Sequence, residues 1–326
     1  MHAITMTEPG GPDVLTWAER DDPEPGPGEV LIDVAASAVN RADLLQRQGF
    51  YPPPPGAPDV LGLECSGTIA ALGPEVSDWT VGEPVCALLA GGGYAERVTV
   101  PAVQLMPVPA AMDLVTAGSL PEVACTVWSN LVLVARLGVG EVLLVHGGAG
   151  GIGTHAIQVG KALGATVAVT AGDDERLARC AELGADLLIN YRDQDFVAEV
   201  RKATDGRGAD VVLDNMGAAY LERNVDVLAR HGRLVVIGMQ GGAKGAVNLG
   251  ALLGKCASVT ATGLRYRPVP EKGAITTAVT ENLWPLIESG AVRPVVHEVL
   301  PVQRAADAHR LMEQGHPFGK VVLRVS

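Results

Sequence analysis

Three glycines in the run Val142-Leu143-Leu144-Val145-His146-Gly147-Gly148-Ala149-Gly150-Gly151-Ile152-Gly153 have the spacing Gly148-x-Gly150-x-x-Gly153. A backbone that must approach a pyrophosphate needs that pattern. Gly148 permits the tight turn, Gly150 the close approach of the phosphates, and Gly153 the packing of the next helix on the preceding strand. Free N–H groups and the dipole at that helix N-terminus favour the phosphates' negative charge. With 40 glycines in the chain, the spacing alone carries little weight. Its setting predicts a dinucleotide site: an apolar strand at 142–145, a helix at 154–163, and a second strand at 167–170. Ala149, Gly151 and Ile152 lie in the same loop and are counted among the expected cofactor contacts.

The end of the second strand bears on which nicotinamide cofactor binds. NAD enzymes place an acidic residue there to hold the ribose 2′-OH. Here the strand ends Ala168-Val169-Thr170-Ala171-Gly172, so Gly172 leaves room for a 2′-phosphate. Arg176, Tyr191 and Arg192 supply donors. Asp173 has two readings: the N-cap of a helix at 174–183, or a ribose partner that makes the cofactor NADH. The cap is preferred, because Asp174 and Glu175 continue the acidic first turn that a helix dipole favours. NADPH is therefore expected, with NADH as the alternative.

These residues need a parallel α/β scaffold to hold them. From about 141 onward, apolar strands alternate with helices, with further strands at 209–214, 234–238 and 259–262. This is the pattern of a sheet covered on both faces, a Rossmann-type doubly wound domain. The first third is different. Short strand candidates at 30–34, 60–69, 84–87 and 94–98, punctuated by Gly and Pro, predict a smaller, partly open β-barrel. The tail is expected to return to helix (274–287), strand (292–300), helix (304–312) and strand (320–325).

The net charge of −12 disfavours a nucleic-acid or anionic-membrane surface, since phosphates are repelled on average. No run of 18 apolar residues occurs, so no membrane span is expected. Met1-His2-Ala3-Ile4 lacks a basic, then apolar, leader pattern. The five cysteines are scattered and odd in number, which suits a reducing compartment. A cytoplasmic enzyme is expected.

The stretch Ala36-Ser37-Ala38-Val39-Asn40-Arg41-Ala42-Asp43-Leu44-Leu45-Gln46-Arg47-Gln48-Gly49, the run Tyr51-Pro52-Pro53-Pro54-Pro55-Gly56, and Leu61-Gly62-Leu63-Glu64-Cys65-Ser66-Gly67 resemble the zinc-free quinone oxidoreductase branch of the medium-chain dehydrogenase/reductases. The resemblance extends over essentially the whole chain. It implies a GroES-like catalytic domain at 1–120 and 265–326, a cofactor domain at 121–264, and an active site in the cleft. It further implies that Thr126, Gly238, Met239 and Leu264 line the nicotinamide, that Arg176 and Tyr191 meet the adenosine end, and that Asn40 and Tyr51 face the substrate. Asp173 departs from the small polar residue usual in that branch.

Zinc-bearing cousins carry a cysteine in place of Asn40 and a histidine in place of Leu63. Leucine cannot ligate zinc and an amide is a poor ligand, and no Cys-x-x-Cys cluster is present, so no metal is expected. Without a metal Lewis acid, the expected reaction is hydride transfer to a quinone or related electrophile, with Asn40 donating a hydrogen bond to the developing oxyanion. Two other readings stand beside it: a reductase of enoyl or alkenal double bonds, and a non-enzymatic NADPH-binding redox sensor. The apolar, β-branched segment at 259–262, as a sheet edge, predicts a homodimer. Cys65 and Cys125 are read as small buried hydrophobes, His146 as a packing residue, and Tyr51 as an anchor of the proline run or a pocket residue. Arg265 and Arg267 are left open between surface charge and ligand contact.

Overall fold

Val30, Ile32 and Val34 alternate along one strand and are buried with Cys65, Ile69, Val85, Ala87, Val98 and Val100, while Asp33 between them faces solvent. This period of two makes the core of the N-terminal sheet. The computed structural model describes residues 1–315 and 317–326. In chain order it begins with β1 (His2–Thr5), β2 (Thr16–Glu19), β3 (Glu29–Ala38), α1 (Arg41–Arg47), β4 (Glu64–Leu72), β5 (Pro84–Leu88), β6 (Arg97–Pro101), β7 (Leu105–Pro107), α2 (Leu114–Ala117) and α3 (Pro121–Trp128). The middle contributes β8 (Val142–His146), α4 (Gly151–Ala162), β9 (Thr166–Ala171), α5 (Asp174–Glu182), β10 (Leu187–Asn190), α6 (Phe196–Ala203), β11 (Ala209–Asp214), α7 (Leu221–Val227), β12 (Leu228–Val236), α8 (Leu249–Lys255) and β13 (Ser258–Ala261). The chain closes with α9 (Val269–Asn282), α10 (Trp284–Glu288), β14 (Val296–Pro301), α11 (Ala305–Glu313) and β15 (Lys320–Arg324).

Two compact units result. One comprises Met1–Cys125, Leu264–Gly290 and Pro294–Ser326; the other comprises Thr126–Gly263 and Ala291–Arg293. Ala291–Arg293 joins the second unit because the Gln158 amide bonds both ways with the Arg293 backbone, at 2.9 and 3.0 Å.

In the first unit, β3 does most of the organising. Its C-terminal half pairs with β15, its N-terminal half with β6, and its length with β4, all antiparallel. Two register shifts against β4, at Leu31/Ile32 and Val34/Ala36, bend it. Such bulges sharpen the twist that curls a sheet toward a barrel. The expected strand at 94–98 begins only at Arg97, because Tyr94 bonds instead to Leu61 and Ile4.

The second unit is a six-stranded, all-parallel sheet in the order β10-β9-β8-β11-β12-β13. The order reverses between β8 and β11, the place where open α/β sheets bind ligands at their carboxyl ends. The sequence reading missed α6, although Asp195 caps α6 and Phe196, Val197 and Val200 form its buried stripe. It also placed a helix over 274–287 that the structure divides into α9 and α10. Pro285, in the first turn of α10, has no N–H to continue the earlier helix. Among the described residues, no helix is long and apolar enough to cross a membrane.

Candidate active site

The glycine loop is built as the spacing implies, with the roles redistributed. The left-handed residue of the turn is Gly147, at φ 72°, which corrects the assignment of the turn to Gly148. Gly148 is a packing glycine: a Cβ there would lie 2.9 Å from Val169 Cβ. Gly153 has no room at all, since its Cβ would stand 2.3 Å from the Gly147 carbonyl. Gly150 is open, its nearest neighbour being that same carbonyl at 3.6 Å. Helix α4 starts at Gly151, three residues before the expected 154. Gly150 is its N-cap, and no side chain caps it. The first-turn N–H groups of Gly151, Ile152 and Gly153 are therefore left for an outside acceptor, and a buried Ala149 backs the loop. An uncapped helix start beside an open Cα is the cradle a dinucleotide pyrophosphate fits.

At the end of β9, the Tyr191 hydroxyl covers Gly172, where a Cβ would come within 2.6 Å of it. Asp173 is the N-cap of α5, accepting from the Arg176 backbone N–H at 2.9 Å. Its other oxygen pairs with Arg176 Nε at 3.2 Å, while the two Nη groups of Arg176 keep no partner among the described residues. Gly172, Arg176 and Tyr191 are thus brought together, and the cap reading of Asp173 matches the geometry.

The carboxyl end of β11 supplies residues the sequence reading missed. The buried Asp214 carboxylate accepts from the N–H groups of Met216 and Gly217 at 2.8 and 2.9 Å, and desolvation raises its pKa above the usual carboxylate value. Asn215 Nδ2 lies 2.8 Å from where a Gly147 Cβ would be, and its enclosed Oδ1 has no hydrogen-bond partner among the described residues. Gly238 packs on the Asn215 backbone, and Met239 stands 62% exposed just beyond β12, unlike a core methionine. Thr126 is buried at the start of the second unit and Leu264 is buried in the first. His146 is a packing residue: it lies edge-on to Phe196 and Tyr220, and burial lowers its pKa to about 4.

In the first unit, Asn40 is the N-cap of α1, its backbone N–H donating to Asp43 Oδ2 at 2.8 Å, and its side chain sits in a charged cluster. Lys320 Nζ donates to Asn40 Oδ1 and to Glu64 Oε1, each at 2.6 Å. Asn40 Nδ2 donates to the same Glu64 oxygen at 2.8 Å and, at a longer 3.3 Å, to the Ala38 carbonyl. Glu64 Oε2 accepts from the Glu122 N–H at 2.9 Å. Lys320 can only donate and Glu64 only accept, so the orientation of the Asn40 amide is determined by its partners. The expected oxyanion donor is therefore not a free amide. One hydrogen is committed to Glu64, and the second is held only by the long contact to Ala38. Glu64 and Lys320 are fully or nearly fully buried. Below them, burial pushes the Asp43 carboxyl up to about 6, although it accepts from Asn40 N and Tyr94 Oη. No chemistry-bearing spacing in the sequence links Glu64 to Lys320.

Tyr51 is half-buried. Its ring meets Tyr266 edge-on at 5.4 Å and carries the Arg265 guanidinium 5.3 Å above it. Desolvation, then the nearby Glu122 carboxylate, pushes its hydroxyl up to about 12. Arg265 is buried, donating to Ala90 O at 2.8 Å and Gln46 Oε1 at 2.7 Å, so it is neither surface charge nor a free anion receptor. The Tyr266 hydroxyl donates to Pro52 O at 2.8 Å, which ties down the proline run. Cys65 and Cys125 are fully buried, and desolvation raises both thiols. Among the described residues, no group of three or more His, Cys, Asp and Glu side chains is arranged to hold a metal.

Residues 183–323 match the family described as zinc-binding dehydrogenase, and residues 26–110 match the alcohol dehydrogenase GroES-like domain. A quinone oxidoreductase of Pseudomonas aeruginosa is 34% identical, with 96% of each chain covered. The chain belongs to the medium-chain dehydrogenase/reductase superfamily. Within that superfamily, a 2-haloacrylate reductase of Burkholderia sp. is 31% identical over 98% of both chains. The solved Escherichia coli quinone oxidoreductase complexed with NADPH superposes at a TM-score of 0.88, with 30% identity and full coverage of both chains. The chain also aligns, at 31% identity, with only 15% of the length of a Mycobacterium tuberculosis phenolphthiocerol/phthiocerol polyketide synthase subunit. The superfamily accounts for the parallel sheet with its glycine loop and for the separate GroES-like unit.

Proposed function

We propose that this chain is an NADPH-dependent reductase that transfers hydride to quinones without a metal ion. The carrying observation is the uncapped start of α4 over the open Gly150, in a superfamily of oxidoreductases. Support for NADPH comes from Gly172 under the Tyr191 hydroxyl and from the two unpartnered Nη groups of Arg176, and from the E. coli enzyme solved with that cofactor. Gly148 to Gly153 would hold the pyrophosphate, Arg176 and Tyr191 the 2′-phosphate, and Thr126, Gly238, Met239 and Leu264 the nicotinamide portion. When bound, the cofactor supplies the hydride; orientation and electrostatics come from the protein.

Tyr51 and Asn40 are the residues proposed to meet the acceptor, and Tyr51 is the one that can stack on it. Its ring offers a stacking face, and a hydroxyl pushed up to about 12 remains protonated and able to donate. Hydride addition to a quinone leaves negative charge on a ring oxygen. One proton from water would then complete the hydroquinone. The 2-haloacrylate reductase among the relatives favours one second reading, reduction of a polarised C=C. The deciding experiment is NADPH consumption with 1,4-benzoquinone and with an enone. Tyr51→Phe is expected to lower kcat/KM for the quinone by roughly tenfold, less than the loss from a fully enclosed donor because Tyr51 is partly solvated, with NADPH affinity unchanged. A wild type that turns over enones far faster than any quinone replaces this reading with the second.

Arg176→Ala is expected to weaken NADPH more than NADH. A hydrogen bond from a charged group contributes about 1.5–3 kcal/mol, and the low end applies because Asp173 already shares the guanidinium. Fluorescence titration of both cofactors measures it, and equal losses would show that Arg176 does not meet the 2′-phosphate.

A homodimer is also proposed. The last strand of the parallel sheet, β13, is exposed along its whole length, and Leu249 and Leu253 of α8 are 71% and 81% exposed. Light scattering at micromolar concentration should give twice the chain mass; a monomer counts against the proposal.

A further inference from the structure

We infer that Lys320 is a positioning residue of the acceptor site, delivering its positive charge through the Asn40 amide to the acceptor oxygen. The inference rests on the quinone-reductase reading above. Three observations carry it, all within the first unit. The Lys320 ammonium, 5% exposed, donates to Asn40 Oδ1 at 2.6 Å. The Asn40 amide is held at its other end by Glu64, which also accepts a hydrogen bond from Lys320. The remaining Nδ2 hydrogen has only the 3.3 Å contact with Ala38 O, and Asn40 is partly accessible while Lys320 and Glu64 are not.

An amide whose oxygen accepts from a cation is polarised, and its N–H groups become better donors. The hydrogen bound to Glu64 is committed, so the loosely held one is available to a new acceptor. During hydride addition the quinone gains two electrons and one proton as H−, leaving its ring oxygen anionic. The Asn40 N–H then exchanges the Ala38 carbonyl for that oxygen without being transferred, and the completing proton comes from water. Glu64 is the ion-pair partner of Lys320, and the Asp43 carboxylate borders the same cluster through the Asn40 N–H.

The test is a double-mutant cycle in the full chain. Lys320→Met is expected to lower kcat/KM for 1,4-benzoquinone roughly 10- to 100-fold, below the ~10²–10³ of a direct oxyanion donor because the charge acts at one remove. In an Asn40→Ala background the same change should cost less than about twofold, since the two residues act as a unit. NADPH affinity should not move in either background. The Glu64→Gln/Lys320→Met double variant, which removes both members of the buried ion pair, serves if the single variant does not fold and should show the same dependence on Asn40. A readout free of turnover is the acidity of 4-nitrophenol bound to the NADP+ complex, as a mimic of the hydroquinone anion. Its pKa should be lower in the wild type than in Lys320→Met by about one unit. Equal rate losses in both Asn40 backgrounds, a parallel loss of NADPH affinity, or no difference in phenol acidity would overturn the assignment. A wild type that reduces no quinone but shows the acidity difference would sink the quinone reading and leave Lys320 in its role.

Discussion

Gly150→Ala is expected to fold as the parent does and to lose NADPH, whereas Gly153→Ala should lose both cofactor and stability. The two positions are three residues apart in one loop, yet their surroundings differ. At Gly150 the backbone is extended, φ −77° and ψ 172°, and an added methyl meets nothing closer than 3.6 Å. Alanine is a poorer N-cap by up to ~1 kcal/mol, but it also restricts the unfolded chain, which offsets about 0.4–1 kcal/mol. Melting should scarcely change. The methyl projects where a pyrophosphate must approach, and steric overlap of about 1–3 kcal/mol corresponds to roughly 5- to 150-fold in affinity. At Gly153 the methyl would overlap the Gly147 carbonyl at 2.3 Å and Gly148 at 2.6 Å, so the turn must open and the first-turn N–H groups lose their alignment. Fluorescence titration and thermal unfolding, run on both variants, separate the cases. A Gly150→Ala protein that binds NADPH normally would show that the phosphates lie elsewhere.

Lys320→Met should destabilise the first unit by about 3–5 kcal/mol, because it leaves the fully buried Glu64 carboxylate without its counter-charge. The Glu64→Gln/Lys320→Met variant should recover most of that loss, since a neutral pair carries no such desolvation penalty. Urea unfolding monitored by tryptophan fluorescence reads the difference, Trp17, Trp79, Trp128 and Trp284 being the four tryptophans. If Lys320→Met and the double variant unfold at the same midpoint, the pair is not electrostatically coupled and Lys320 acts only as packing.

Much of the nucleotide-binding unit was legible because its signals are local. The strand, glycine loop and helix of 142–162 are contiguous, and the N-cap of Asp173 follows from the residues immediately after it. The roles of individual glycines were less legible, because Gly147 and Gly148 are indistinguishable until the backbone shows which of them turns left-handed. The break between α9 and α10 was marked by Pro285 but masked by the apolar spacing on either side.

The candidate acceptor site divides along the same line. The family resemblance marked Asn40 and Leu63 as positions where zinc-bearing cousins carry ligands, and the sequence put Tyr51 next to its proline run. That Asn40 would be held between Lys320 and Glu64 depends on β15 pairing antiparallel with β3, with Val322 opposite Ala38. This pairing brings together side chains 280 and 256 residues apart. Buried Arg265 likewise reaches Gln46 across 219 residues. Local chemistry, caps, turns and the dinucleotide loop are determined by the sequence itself, because their energies are settled within a few residues. Which charges share a buried site, and hence which N–H remains to be donated, only the tertiary structure decides, because desolvation and pairing depend on strands that meet after the chain has closed.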